Sequence, residues 1–130
     1  MKAHHIMTRQ VITAGPDDKL SVARDIFRKN RVHHLPIVHG TQLIGILTTY
    51  DIFKMIDSKE DYDKILIKDV MTTHVATLEP EDKVGSAAEL FLENLFHAVP
   101  IVKDGELKGI VTSFDVIKYE FHKEYPTQEI

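Results

Sequence analysis

The sequence predicts an α/β (α+β) fold built from two tandem copies of one β-α-β-β-α unit. Three observations carry that expectation: a repeat that spans most of the chain, alternating helical and strand-like hydrophobic spacing inside each copy, and turn signals in the same order in both. Sliding the 130-residue chain against itself by about 64 positions aligns residues 5–55 with 69–119 without a gap, and about 20 of about 51 positions are identical. Met7-Thr8 falls on Met71-Thr72, Pro16 on Pro80, Ala23 on Ala87, Phe27 on Phe91 and Asn30 on Asn94. His33 falls on His97, Pro36-Ile37-Val38 on Pro100-Ile101-Val102, Gly45-Ile46 on Gly109-Ile110, and Thr48 and Asp51 on Thr112 and Asp115. The repeat divides the chain into a first unit at 1–56, a charged connector at 57–66, a second unit at 67–122 and a C-terminal tail at 123–130.

Each unit opens with a short expected strand, Val11-Ile12-Thr13 or Val75-Ala76-Thr77, ending before an acidic turn that contains proline. A helix follows, with Asp17 or Asp18 as candidate caps in the first copy. Leu20, Ala23, Ile26 and Phe27 share one face of it, and Val84, Ala87, Leu90, Phe91 and Leu95 form the matching stripe; both stripes read as core. Two apolar runs then flank His39-Gly40-Thr41-Gln42, and two more flank Lys103-Asp104-Gly105-Glu106, which predicts a β-hairpin in each copy. A second helix closes each unit, starting at 49–51 and at 113–115. The connector 57–64 is charged without a clear apolar stripe and reads as solvated, with room for one helical turn. The tail, interrupted by Pro126, is expected to be peripheral and mobile. Units this small bury little core alone, so they are expected to pack sheet to sheet about a pseudo-twofold axis, which creates two related clefts.

Composition narrows the function. A hydrophobic fraction of 43% and a charged fraction of 28% are globular values. A formal net charge of -4 argues against a nucleic-acid groove, which needs an excess of Lys and Arg on one face. The absence of cysteine removes disulfides, thiolate metal sites and a Cys nucleophile. No apolar run approaches the roughly 18 residues of a membrane span and no signal-peptide pattern follows Met1, so the expectation is a cytoplasmic protein. Eight histidines are present, but His33 and His34 are adjacent and would point to opposite faces of a strand, and no trio converges on a metal. Nucleophile, P-loop and dinucleotide motifs are all missing, and Asp51 and Asp115 repeat each other instead of dividing into acid and base, so catalysis is not expected.

The chemistry lies in Gly45-Ile46-Leu47-Thr48-Thr49-Tyr50-Asp51 and its copy Gly109-Ile110-Val111-Thr112-Ser113-Phe114-Asp115. Each sets a hydroxyl and a carboxylate at a strand-to-helix junction. The carboxylate can accept both hydrogen bonds of a vicinal diol such as a ribose, while hydroxyls and helix N-terminal amides donate to phosphate. Helix capping by the same Asp is the competing reading.

The Met-Thr start, the proline after the first strand, the His-x-x-Pro-Ile-Val segment and the Gly-Ile-x-Thr-x-x-Asp ending, all present twice, resemble the CBS domain, named for cystathionine beta-synthase. The resemblance implies a non-catalytic regulatory module that binds AMP, ADP, ATP or S-adenosylmethionine between paired units, with no required cofactor. It implies that Asp51 and Asp115 hold ribose beside Thr48 and Thr112, and that Thr13 joins Asp115 while Thr77 joins Asp51 across the pair. It further implies that the backbone around Ile12 and Ala76, with Pro36 and Pro100, flanks the purine, and that His33, His34 and His97 stand where the family contacts phosphate. Ala98 replaces His34 in the second copy, so the two clefts are expected to differ, and a mono- or diphosphate or a neutral-tailed adenosine compound suits them at least as well as a triphosphate. A homodimer through the second-helix faces around Ile52, Phe53, Val116 and Ile117 and an effector protein regulated in trans are the implied partners, with no nucleic acid and no membrane. Those four positions serve equally well as intramolecular core. A ligand-free dimerisation or scaffold module is the alternative function.

Overall fold

The computed structural model describes residues 1–55, 61–94 and 97–126. It is mixed α/β, and it divides into two compact units whose boundaries cross those of the repeat: Ile12–Val75 form one, and Met1–Val11 with Ala76–Ile130 form the other. Each copy of the repeat therefore gives its opening Met-Thr segment to the unit that contains the other copy's hairpin.

In the Ile12–Val75 unit, helix α2 (Leu20–Asn30) is followed by β1 (His34–His39), β2 (Gln42–Thr48) and α3 (Thr49–Met55). Helix α4 (Asp61–Lys64) and a 3₁₀ turn (Ile67–Asp69) complete it. Strands β1 and β2 pair antiparallel, with Pro36 opposite Ile46 and a bulge between Ile37 and Val38. Alternation along the strands turns Leu35, Ile37 and Leu47 inward, where they join Ala14, Leu20, Ala23, Ile52 and Ile67 in one buried cluster. Ile26 and Phe27 of α2 pack against it, as the helical spacing predicted.

The other unit repeats this plan with α1 (Ala3–Ile6) at the repeat position of the 3₁₀ turn, then α5 (Val84–Asn94), β3 (Ala98–Lys103), β4 (Glu106–Thr112) and α6 (Ser113–Glu124). Its core is Ala3, Ala87, Val99, Ile101 and Val111, with Leu90 and Phe91 packed against it. Leu95 lies outside the described residues. The β3–β4 turn places both Asp104 and Gly105 at positive φ, the conformation a two-residue type I′ hairpin needs and Asp-Gly favours.

Both glycines of the Gly-Ile motifs are close-approach positions. Thr72 pairs antiparallel with Ile46, and Thr8 with Ile110, so the Met-Thr segments lie against β2 and β4. A Cβ on Gly45 would sit 2.8 Å from the Met71 sulfur and 2.9 Å from the Thr72 carbonyl oxygen.

Several expectations are corrected. The segments Val11–Thr13 and Val75–Thr77 are not strands; pairing is confined to Ala14, whose N–H meets the Pro36 carbonyl at 3.3 Å, and to Leu78, whose N–H meets the Pro100 carbonyl at 3.1 Å. The acidic turn begins one residue later and ends the pairing. Neither Asp17 nor Asp18 caps α2: Lys19 is the N-cap and makes no side-chain cap bond. Asp18 instead accepts the Gly15 N–H at 2.8 Å, as Asp82 accepts that of Glu79 at 2.7 Å. At this helix start the Ile65 carbonyl receives the Leu20 N–H at 2.9 Å, which satisfies one of the free backbone N–H groups. The connector's second half is structural, since Tyr62 of α4 and Ile65 pack on the core; residues 57–60 fall outside the described set. Helix α6 runs two residues into the expected tail and stops before Pro126, while 127–130 fall outside the described residues. Among the described residues, no helix is long and apolar enough to cross a membrane.

Candidate functional site at the strand-to-helix junctions

Each unit gathers its predicted polar residues at one end of its hairpin. In the Ile12–Val75 unit, His34 stands opposite Thr48 in the β1–β2 register, and the His33 carbonyl accepts the Thr49 N–H at 3.2 Å. In the other unit Ala98 stands opposite Thr112, and the His97 carbonyl accepts the Ser113 N–H at 2.9 Å. The chain therefore turns from strand to helix with its histidine segment tied to the first residue of the helix. Thr49 and Ser113 begin the helices where the sequence places the starts, and the cap of the second is the residue before it, Thr112.

Thr48 and Asp51 form a reciprocal pair. The Thr48 N–H donates to Asp51 Oδ2 at 3.0 Å, and the Asp51 N–H donates to Thr48 Oγ1 at 3.1 Å. Thr112 and Asp115 repeat this at 2.9 and 3.2 Å, and the Thr112 hydroxyl adds a bond to Asp115 Oδ2 at 3.0 Å. This is a capping box: each side chain satisfies a backbone N–H at the helix start, and the carboxylate lies near the positive end of the peptide dipoles. The capping reading of these aspartates is thus realised in both copies. It does not use the whole carboxylate, because all of these bonds fall on Oδ2. Both aspartates are half-buried, so Oδ1 sits on a fixed group at the helix start and can accept hydrogen bonds from a ligand.

The remaining predicted residues separate by burial. Pro36 and Pro100 are fully buried inside their units, and their carbonyls are engaged by Ala14 and Leu78. Ile12 is 39% exposed, Thr13 is half-buried, and Ala76 and Thr77 are exposed. His33 and His97 are exposed and His34 is half-buried. The parallel Ala14–Ile37 bridge brings Ile12 and Thr13 along β1 from its His34 end, and the Leu78–Ile101 bridge does the same for Ala76 and Thr77 along β3. Of the apolar second-helix positions, Ile52 is core and Val116 packs against the core, whereas Phe53 and Ile117 are 83% and 65% exposed. Ile52 and Val116 thus take the intramolecular-core alternative the sequence left open, while Phe53 and Ile117, like Tyr50 and Phe114, are exposed within their units.

Comparison with known proteins agrees with this arrangement. The model of the CBS domain matches residues 3–58 and 67–122. The inosine-5'-monophosphate dehydrogenase of Korarchaeum cryptofilum (strain OPF8) is 32% identical over 122 residues, which is 93% of this chain and 25% of that enzyme. The chain spans about a quarter to under half of the length of the first curated relatives it matches. A putative acetoin utilization protein (AcuB) from Vibrio cholerae superposes with a TM-score of 0.87 at 23% identity, covering 100% of this chain and 98% of that one. The CBS domain pair of protein MJ0100, solved in complex with 5-methylthioadenosine and S-adenosyl-L-methionine, superposes with a TM-score of 0.80 at 30% identity, covering 95% and 98%. With two matched copies, the same order of motifs and a structure that follows solved CBS-domain pairs over nearly its whole length, the chain belongs to the CBS domain family.

Proposed function

We propose that this chain is a non-catalytic regulatory module that binds an adenosine nucleotide, AMP, ADP, ATP or S-adenosylmethionine, between its two CBS units and transmits that occupancy to an effector protein in trans. The observation that carries the reading is the duplicated Thr-x-x-Asp box, which fixes a half-buried carboxylate through one oxygen and leaves the other available to a ribose diol. The complex of the MJ0100 domain pair with 5-methylthioadenosine and S-adenosyl-L-methionine supports an adenosine ligand. In this proposal Thr13 joins Asp115 and Thr77 joins Asp51, with the backbone at Ile12 and Ala76 along the purine. His33, His34 and His97 face the phosphate or its replacement. A single neutralisable His34 against Ala98 favours a mono- or diphosphate or a neutral-tailed adenosine compound over a triphosphate. Ligand that favours one arrangement of the units can act on a partner that prefers that arrangement. The proposed assembly is a cytoplasmic homodimer through exposed Tyr50, Phe53, Phe114 and Ile117, and the module needs no cofactor.

One observation favours a second reading. Both aspartates already serve their own helices as capping groups, so the boxes would persist in a ligand-free scaffold module. Titration of ligand-free protein with AMP and S-adenosylmethionine separates the two. Saturable binding weakened by Asp115→Asn or Asp51→Asn supports the sensor, and no binding to either ligand supports the scaffold.

A further inference from the structure

One sulfur contact occurs at the same repeat position in both units. The Met71 sulfur lies 2.8 Å from the point where a Cβ of Gly45 would stand, and the Met7 sulfur lies 2.6 Å from that of Gly109. Each thioether fills the space that a glycine leaves on a strand, Gly45 on β2 and Gly109 on β4. Met71 packs against the core of the Ile12–Val75 unit and Met7 against the core of the other, and both residues are only half-buried. The residue after each methionine carries the pairing. Thr72 and Ile46 exchange N–H to carbonyl bonds at 2.9 Å each, and Thr8 and Ile110 do so at 2.8 and 3.0 Å.

The chain has four methionines and no cysteine, so thioethers are its only sulfur. A thioether is soft and apolar, whereas its sulfoxide is polar and chiral and carries an oxygen that accepts hydrogen bonds. Against either strand that oxygen meets an acceptor: the Thr72 and Thr8 carbonyl oxygens stand 2.9 and 2.8 Å from the same two points. The N–H groups of Ile46, Thr72, Thr8 and Ile110 are already given to the pairing. A sulfoxide held in place therefore lacks a donor, and one turned to solvent draws its sulfur out of the space beside the glycine.

We propose that Met7 and Met71 are paired oxidation sites whose sulfoxides release the Met-Thr segments from β4 and β2, which makes the fold responsive to hydroperoxides. The sulfur lone pair attacks one peroxide oxygen, an S–O bond forms as the O–O bond breaks, and the second oxygen leaves as water or an alcohol. Sulfur loses two electrons and the peroxide gains two. Methionine sulfoxide reductases, one for each epimer, reverse the change. The device rests on packing at the strands and is independent of nucleotide binding.

The test treats the full chain with hydrogen peroxide, maps sulfoxides by peptide mass spectrometry, and reads Tm and amide hydrogen exchange. Met1, 62% exposed, is the standard for an open thioether within the same chain. At a dose that converts Met1 fully, Met7 and Met71 are expected as sulfoxides, with Tm lowered by about 3 °C or more. The amides of Thr8, Ile46, Thr72 and Ile110 should then exchange faster by about tenfold or more. Treatment with both reductases should restore Tm and exchange. The double variant Met7→Leu, Met71→Leu, a swap of similar volume, should keep its Tm under peroxide while Met1 is still oxidised. Met7 and Met71 left unmodified at that dose, or converted with Tm and exchange unchanged, overturns the proposal. An equal loss of Tm in the leucine variant, or a loss that the reductases do not reverse, does the same.

Discussion

The Cβ that Gly109 lacks would come within 2.6 Å of the Met7 sulfur and 2.8 Å of the Thr8 carbonyl oxygen. This relationship ties the first residues of the chain to the last hairpin, and Gly45 with Met71 repeats it. The methionine could swing aside, but the carbonyl belongs to a backbone fixed by the Thr8–Ile110 pairing at 2.8 and 3.0 Å. Gly109→Ala is therefore expected to cost about 1–3 kcal/mol through overpacking. Met7→Ala should restore only part of that loss. Urea unfolding of the two single variants and the double variant checks both statements, and a loss for Gly109→Ala below about 0.5 kcal/mol would contradict the close approach.

The capping boxes should be measurable as coupled pairs. Thr112→Ala and Asp115→Ala each remove one side of the exchange and are expected to destabilise by about 0.5–2 kcal/mol. Because both lose the same box, the double variant should fall short of the sum of the singles. Full additivity in a double-mutant cycle would show that the two side chains do not act together.

Exposure divides the apolar residues into two experimental groups. Ile37→Ala and Ile101→Ala empty fully buried positions and are expected to cost about 2–5 kcal/mol each. Phe53→Ala and Ile117→Ala remove exposed side chains and should change the stability of the isolated chain by no more than about 0.5 kcal/mol. On the proposed dimer face they should weaken self-association measured by sedimentation. Unchanged self-association in the Phe53→Ala, Ile117→Ala double variant would remove that face from the assembly.

Acid should loosen the N-terminal segment before the rest. Partial desolvation of this exposed ring, with the charges of His4, the N-terminus and Lys2, holds the His5 pKa below its ordinary value of 6.5. His5 Nδ1 accepts the Lys2 N–H at 3.0 Å, which requires the neutral ring. A base whose folded pKa is depressed contributes stability above its unfolded pKa, and that contribution is lost as pH falls below about 6.5. Glu81, hydrogen-bonded by Lys2, lies below its ordinary 4.5, and its contribution is lost in turn as pH falls below about that value. Hydrogen exchange should show faster opening of residues 2–6 at pH 5.5 than at pH 7.5 after correction for intrinsic rates, with the difference reduced in His5→Gln. Equal corrected rates would contradict the His5 contact.

Much of this molecule is readable in its sequence because the same signals occur twice. The helical stripes at Leu20 and Val84, the Asp104-Gly105 turn and the Thr48–Asp51 and Thr112–Asp115 junctions depend on local spacing, and local spacing survives folding. The exchange of Met7-Thr8 and Met71-Thr72 between units is not local. It depends on pairing across about 100 residues for Thr8 and Ile110, which no periodicity reports. An acidic residue before a helix suits a cap and a turn equally, and Asp18 is taken by the turn, where it accepts the Gly15 N–H. Tyr62 looked solvated for a related reason: four residues of α4 are too few to show a stripe.

The most direct test of the sensor reading is calorimetric titration of verified ligand-free protein with AMP and with S-adenosylmethionine, against GTP as control, in the wild type and in Asp51→Asn and Asp115→Asn. The substitutions keep the side chain's shape while removing its charge, so loss of the cap is minimised. The account predicts saturable binding of an adenosine ligand that falls at least about tenfold in one Asn variant, together with about 2.7 kcal/mol of added stability at 100 times the dissociation constant. No heat and no shift in Tm with either adenosine ligand at millimolar concentration would contradict it and leave the capping boxes as structure alone.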